Sequence, residues 1–208
     1  MSFMSDFIFA EDSTITKLAP SLESILRDLK ENVTHHDYLV ALLIVFLAEY
    51  GFQVSTSDVC DSQRLNLRSL RIPENWKSKD TKAYDMRFHF VAAPNVTCKL
   101  VAVPSGDLLI VNFYPLIDRG KTYSICVQSL KYINPFSSDL CGRYRNLKEI
   151  SLRFKDSLAN PVRIDVATRE GIVVPSLQSL PIELKIRIMN LLNPHDLSQL
   201  IEVLARLS

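Results

Sequence analysis

Asp85-Met86-Arg87-Phe88-His89-Phe90 alternates polar and apolar residues without a break, which puts Met86, Phe88 and Phe90 on one face of a β-strand. Upstream of this stretch the period is helical. Tyr38 to Ala48 is an apolar run of eleven residues. It is opened by Thr34-His35-His36-Asp37, a capping-box-like start, and closed by Tyr50-Gly51, whose glycine suits a left-handed helix stop. A helix apolar on nearly every side belongs at the centre of a domain, so Leu39, Leu42, Leu43, Phe46 and Leu47 are expected core residues. Before it, Leu22, Ile25, Leu26 and Leu29 share one face of a helix expected from Ser21 to Lys30, entered at Pro20. Residues 53–83 are polar and irregular and hold the single tryptophan, Trp76. Its ring is expected to plug the core beside Tyr84, the rival reading being an anchor for a partner.

Downstream, Cys98 to Val103 and Leu108 to Tyr114 read as two strands joined through the turn-forming Pro104-Ser105-Gly106-Asp107. Tyr123, Ile125 and Val127 alternate with Ser124, Cys126 and Gln128 in a fourth. Short connections imply antiparallel neighbours. From Ser138 the helical period returns, with Leu140, Tyr144, Leu147, Phe154 and Leu158 on one stripe and Pro161 expected to stop or bend the chain. Helices, a meander of strands and helices again make an α+β fold, an antiparallel sheet packed with helices. Val173-Val174-Pro175-Ser176 marks the expected boundary to a short, all-helical segment.

Composition narrows the function. The 208 residues carry 24 basic and 23 acidic side chains, a formal charge of +1, without the basic surplus that a general nucleic-acid binder needs. The same balance argues against electrostatic membrane anchoring, and the longest apolar run is too short to span a bilayer. The N-terminus lacks a basic region before its apolar patch, so no signal peptide is expected. Cys60, Cys98, Cys126 and Cys141 form no CxxC pair, which leaves neither a zinc knuckle nor a redox motif and favours free thiols in the cytoplasm or nucleus.

The most specific signal lies at the C-terminus. Leu180-Pro181-Ile182-Glu183-Leu184 places a proline where a first helical turn tolerates it and an acid where the helix dipole welcomes it. Leu184, Ile188, Leu191 and Leu192 make an apolar stripe. Asn193-Pro194-His195-Asp196 ends that helix and starts a second one, striped by Leu197, Leu200, Ile201 and Leu204. Two such short helices cannot hide both stripes on each other alone, so the preceding domain, further residues of the chain or a partner must cover them.

This stretch resembles the F-box, the adaptor-binding motif of SCF ubiquitin ligases. Leu180, Pro181, Glu183, Leu184, Ile188, Leu192, Pro194, Asp196, Leu197, Leu200 and Val203 match the family pattern in order and spacing. The family usually continues with a Cys-Arg-x-Trp-like segment and a third helix, whereas this sequence stops at Ser208, so the F-box is expected to be incomplete here. The preceding region looks like the FP domain, the module shared by one F-box subfamily, the Nutcracker type, and a proteasome inhibitor protein. The segments that carry it are Pro20-Ser21-Leu22-Glu23-Ser24, Ile72-Pro73-Glu74-Asn75-Trp76-Lys77, the stretch from Val103 to Asn112, and Leu152 to Leu158. The organisation implied is an N-terminal tail over 1–14, an FP domain over 15–172 and an F-box over 173–208.

The resemblance implies a substrate-receptor or regulatory subunit, not an enzyme, needing no cofactor or metal. Leu180, Pro181, Glu183, Leu184, Ile188, Leu191, Leu192, Pro194, Asp196, Leu197 and Leu200 would dock a Skp-type adaptor, and through it a cullin scaffold, by laying an apolar helix face against a helical partner. The FP domain would pair with a second copy, as a homodimer, or with the FP domain of the proteasome inhibitor. Within it, the hairpin of residues 98–113 is the expected pairing surface, with Val101, Val103 and Val111 as anchors, because the alternation leaves apolar residues on both of its faces.

Competing chemistries are weaker. His35 and His36 adjoin Asp37 at a helix start and His89 sits on a polar strand face, none of them at metal-ligand spacing, so they read as surface or capping histidines. A Cys–His hydrolase would need a nucleophile context that none of the cysteines has. Arg143, Arg145, Lys148, Arg153 and Lys155 make a basic helix face without interleaved aromatics, the pattern of a solvated surface. Two functions stay open: a ubiquitin-ligase receptor, or an interaction module that regulates the proteasome through FP–FP pairing.

Overall fold

The computed structural model describes residues 8–29, 33–55, 67, 70–118, 120–172 and 182–206. Helix α1 spans Pro20–Leu26 and α2 spans His35–Glu49. The capping box at Thr34 is complete: its hydroxyl accepts the Asp37 amide, and the Asp37 carboxylate takes the Thr34 amide at 2.7 Å. Helix α2 ends at Gly51, which takes the left-handed φ of +90° that a glycine adopts without penalty. Leu39, Leu42, Leu43, Phe46 and Leu47 are fully buried, and so are Val40, Ala41 and Val45 around the rest of the helix. The expected α1 is cut short at Leu26, so Leu29 lies beyond its end.

Five strands follow: β1 Phe52–Val54, β2 Tyr84–Phe90, β3 Ala93–Ser105, β4 Leu108–Pro115 and β5 Tyr123–Gln128. They form an antiparallel meander in sequence order. The inner face carries Tyr84, Met86, Phe88 and Phe90 from β2, Leu100 and Ala102 from β3, Leu109, Val111 and Phe113 from β4, and Ile125 and Val127 from β5, all buried. Phe52 of β1 stacks at 5.2 Å, edge to face, on Phe113 and at 5.3 Å on Phe90, closing an aromatic cluster under the sheet. Strand β1 lies in a stretch expected to be irregular. Its three residues are too few to show a period.

The hairpin between β3 and β4 turns through Gly106 and Asp107, with Ser105 opposite Leu108. Positive φ falls on Gly106 alone, at +60°, as a type II′ turn demands. After β5 comes the single-turn helix α3, Ser129–Tyr132. The helix expected from Ser138 starts later, because Tyr144 is extended and bridges Ile133; α4 runs over Leu147–Phe154. A π-turn at Lys155–Ala159 leads straight into α5, Asn160–Arg169. Pro161 therefore neither stops nor breaks the helical path. It has no N–H to return to the Ser157 carbonyl, and the wider π-turn just before it absorbs that missing bond.

Of the tail expected over 1–14, residues 1–7 lie outside the described residues, and Ala10–Asp12 pack into the first unit. A 3-10 turn at Ala10–Asp12 buries Ala10, whose amide donates to Glu49 Oε1 at 2.8 Å. Glu11 accepts from Lys155 Nζ at 2.6 Å and from the Ser151 hydroxyl.

The chain divides into two units, Met1–Glu170 and Gly171–Ser208. The second contains α6, Ile182–Leu191, and α7, Pro194–Arg206. Among the described residues, no helix is long and apolar enough to cross a membrane.

Candidate functional site: two unpartnered apolar surfaces

In the second unit, Asn193 organises the junction of the two helices. Its Oδ1 accepts the Asp196 amide at 2.9 Å, and its Nδ2 donates to the Asp196 carboxylate at 2.7 Å. Pro194 occupies the first position of α7, where a missing N–H costs nothing, and Asp196 places a negative charge in the first turn. This local chemistry fixes the helix start independently of any partner.

Of the residues expected to meet an adaptor, Leu180 and Pro181 lie outside the described residues, and Glu183 and Leu184 fall in the first turn of α6. Ile188, Leu192, Leu197 and Leu200 are half-buried; Leu191 is 82% exposed, and Pro194 and Asp196 are exposed. Ile186, which the stripe at 184, 188, 191 and 192 omits, is 49% exposed. Helix α6 thus leaves large aliphatic side chains in water over a span of six residues, a local excess that calls for a cover.

The first unit carries the second surface, on the face of the sheet turned away from α2. Val103 is 39% exposed and lies opposite Ile110, 41% exposed; Leu108 is exposed beside them at the turn, and Val101 is half-buried. Ile110 in turn pairs with the exposed Cys126 of β5. A Lys99–Asp85 ion pair at 2.9 Å borders the patch. Val111 does not belong to it. It sits opposite Ala102, fully buried on the inner face, because strand geometry sends neighbours to opposite sides and Ile110 holds the outer position. Val101 and Val103 are on the outer face, joined by Leu108 and Ile110, which the sequence reading missed.

Among the described residues, no comparable arrangement of reactive groups emerges. A groove of about 490 Å³ is lined by Phe9, Glu49, Tyr50, Gly51, Phe90, Lys155 and Arg163. Burial raises the Glu49 carboxyl above its ordinary range, against the pull of the Ala10 amide and the Ser21 hydroxyl that hold Oε1. Those bonds tie the N-terminal segment and α1 to α2, which is a structural role. Cys98 is buried and its thiol is pushed up to about 12, so it stays protonated at neutral pH; Cys60 lies outside the described residues. His36 is a buried residue, not a surface cap: Nδ1 meets Ser129 Oγ at 2.8 Å and Nε2 meets the Gly106 carbonyl at 2.9 Å. Trp76 is half-buried with its ring 5.1 Å from that of Tyr84, as the plug reading expected. Among the described residues, no three of His, Cys, Asp and Glu cluster as metal ligands.

No family model matches the chain. The chain is similar to F-box only protein 7 of Homo sapiens, 24% identical over 92% of this chain, and to that of Rattus norvegicus, 27% identical over 78%. F-box only protein 7 of Bos taurus is 23% identical over 92% of the chain. The chain spans about a third of the length of these relatives, 35%, 30% and 35% respectively. Their names support the F-box resemblance of residues 180–203.

Proposed function

We propose that this chain is a substrate-receptor or adaptor subunit of an SCF-type ubiquitin ligase. It acts by binding rather than by catalysis, in the cytoplasm or nucleus. Helices α6 and α7 dock a Skp-type adaptor, which links the chain to a cullin scaffold. The sheet-bearing unit, an FP domain, pairs with a second copy or with the proteasome inhibitor. The observation that carries this reading is the unpartnered aliphatic surface of α6, in a separate two-helix unit whose sequence follows the F-box spacing. With Ile186 49% and Leu191 82% exposed, covering what they leave in water would contribute roughly 2–4 kcal/mol, at about 1.5–3 kcal/mol per fully buried side chain. Similarity to proteins named F-box only protein 7 supports the same class.

A second reading, regulation of the proteasome through FP–FP pairing without a ligase, draws on the outer sheet patch of Val103, Leu108 and Ile110. Co-expression separates the two. The ligase reading expects the chain to co-purify with a Skp-type adaptor at equal stoichiometry, and Leu197→Asp with Leu200→Asp to abolish the complex while leaving FP pairing intact. Absence of a complex removes the ligase reading and leaves the pairing module.

A further inference from the structure

Phe136 is 94% exposed, the most exposed large apolar side chain among the described residues. It follows Asn134 and Pro135, so the tip of the loop after α3 reads Asn-Pro-Phe. The three residues form a tight turn. The Ser137 amide donates to the Asn134 carbonyl at 3.4 Å, and the Phe136 amide donates to Asn134 Oδ1 at 3.3 Å. The side chain of Asn134 therefore mimics a backbone turn inside a backbone turn, and Pro135 fixes φ between the two ends.

The rest of the loop holds this turn in place. The Asn134 amide donates to the Arg143 carbonyl at 2.8 Å, and the Arg143 guanidinium donates back to the Ser137 carbonyl. That guanidinium lies 4.3 Å over the ring of Tyr38, which anchors the loop to α2. Gly142 comes close enough to Ser137 that a Cβ there would stand 3.0 Å from its hydroxyl. The turn's backbone is tied down on both sides, while the phenyl ring stands in solvent.

We propose that Asn134-Pro135-Phe136 is a docking knob for a protein module with an apolar pocket sized for one phenyl ring, rimmed by an acceptor for the Asn134 carboxamide. The chemistry is specific to this occupant. Asn134 Oδ1 is spent on the turn, which leaves the Nδ2 donor of the same carboxamide for a partner. A preformed turn avoids the ordering cost that a flexible peptide would incur on binding. An EH domain, a module class that reads Asn-Pro-Phe turns, is the probe of this chemistry.

The test titrates the full chain with a purified EH domain by calorimetry. One-to-one binding is expected, displaced by a linear Asn-Pro-Phe peptide. Phe136→Ala is expected to weaken it by at least about tenfold, as for a buried aromatic anchor. Asn134→Asp, which replaces the Nδ2 donor with an acceptor, is expected to weaken it as well. Because the ring is in water, Phe136→Ala should leave Tm unchanged. No binding, or binding indifferent to Phe136→Ala, overturns the proposal. So does a marked fall in Tm, which would make the ring part of the fold, or a loss of self-association on Phe136→Ala, which would make the occupant a second copy.

Discussion

Replacing Asp37 by alanine tests how the first unit is held together. Its carboxylate is nearly buried and accepts from Lys77 Nζ at 2.6 and 2.9 Å, from the Tyr84 hydroxyl at 2.8 Å and from the Thr34 amide at 2.7 Å. Three elements meet there: the start of α2, the connection before β2, and β2 itself. Removing one partner of a buried ion pair costs about 3–5 kcal/mol, and losing a helix cap about 1 kcal/mol. These contributions share atoms and do not add, and the Lys77 side chain, 22% exposed, can recover part of its hydration. The expected destabilisation is therefore about 3–4 kcal/mol. At about 2–4 °C per kcal/mol for a unit of this size, Tm should fall by roughly 6–16 °C.

Urea unfolding followed by fluorescence is the natural assay, since Trp76 is the single tryptophan and packs on Tyr84 beside the network. The pH dependence sharpens the test. Burial alone would raise the Asp37 carboxyl, but the hydrogen bonds from Lys77, Thr34 and Tyr84 outweigh it and hold the group below its ordinary 3.8. Its stabilisation is therefore complete above that value and is lost as pH falls through the lower, folded value. Asp37→Asn should remove this acid sensitivity. A loss under about 1 kcal/mol for Asp37→Ala, or an Asp37→Asn variant with unchanged acid sensitivity, would refute the reasoning.

Two further outcomes follow from the same geometry. Burial depresses His36 below its ordinary 6.5, against the opposing bond to the Gly106 carbonyl, so stability should fall as pH drops below that value and protons enter the unfolded chain first. Part of this slope comes from His89, likewise depressed by burial; thermal melts of His36→Gln between pH 5 and 8 should show a shallower slope, and an unchanged one would clear His36. On the hairpin, Ile110→Glu should leave stability within about 0.5 kcal/mol of the parent and abolish the self-association proposed above in sedimentation, whereas Val111→Glu should unfold the unit. Equal effects from these two neighbours would mean that the register is misread.

Sequence periodicity carried far where one face is dry and the other wet. Strand β2 alternates cleanly because Asp85 and Arg87 face water while Met86 and Phe88 face the core, and its phase could be read directly. Strand β4 could not be phased that way. Leu108-Leu109-Ile110-Val111 is apolar throughout, so periodicity alone could not separate Ile110 outside from Val111 inside. The core helix was visible from its unbroken apolar run and the capping residues at Thr34 and Asp37. The burial of His36 was not, because its partner Ser129 lies 93 positions away and only the folded sheet brings the two together. The same holds for Lys77, 40 positions from Asp37 in a stretch with no periodic signal. At the C-terminus the motif spacing marked the helices and their junction. It missed Ile186 because that side chain lies off the stripe that the spacing draws.

The clasp made by Ala10 and Glu11 has a consequence for how the first unit comes apart. Glu11 reaches Lys155 across 144 positions of sequence, and Ala10 reaches Glu49 across 39, so these two residues are fastened both to the end of α2 and to the π-turn before α5. A segment held at both of these points cannot open by itself. Opening it uncovers the Glu49 carboxylate and loosens α4 in the same event, so amides near residue 10 should exchange their hydrogens as slowly as those of the core, and the unit should melt as one cooperative block.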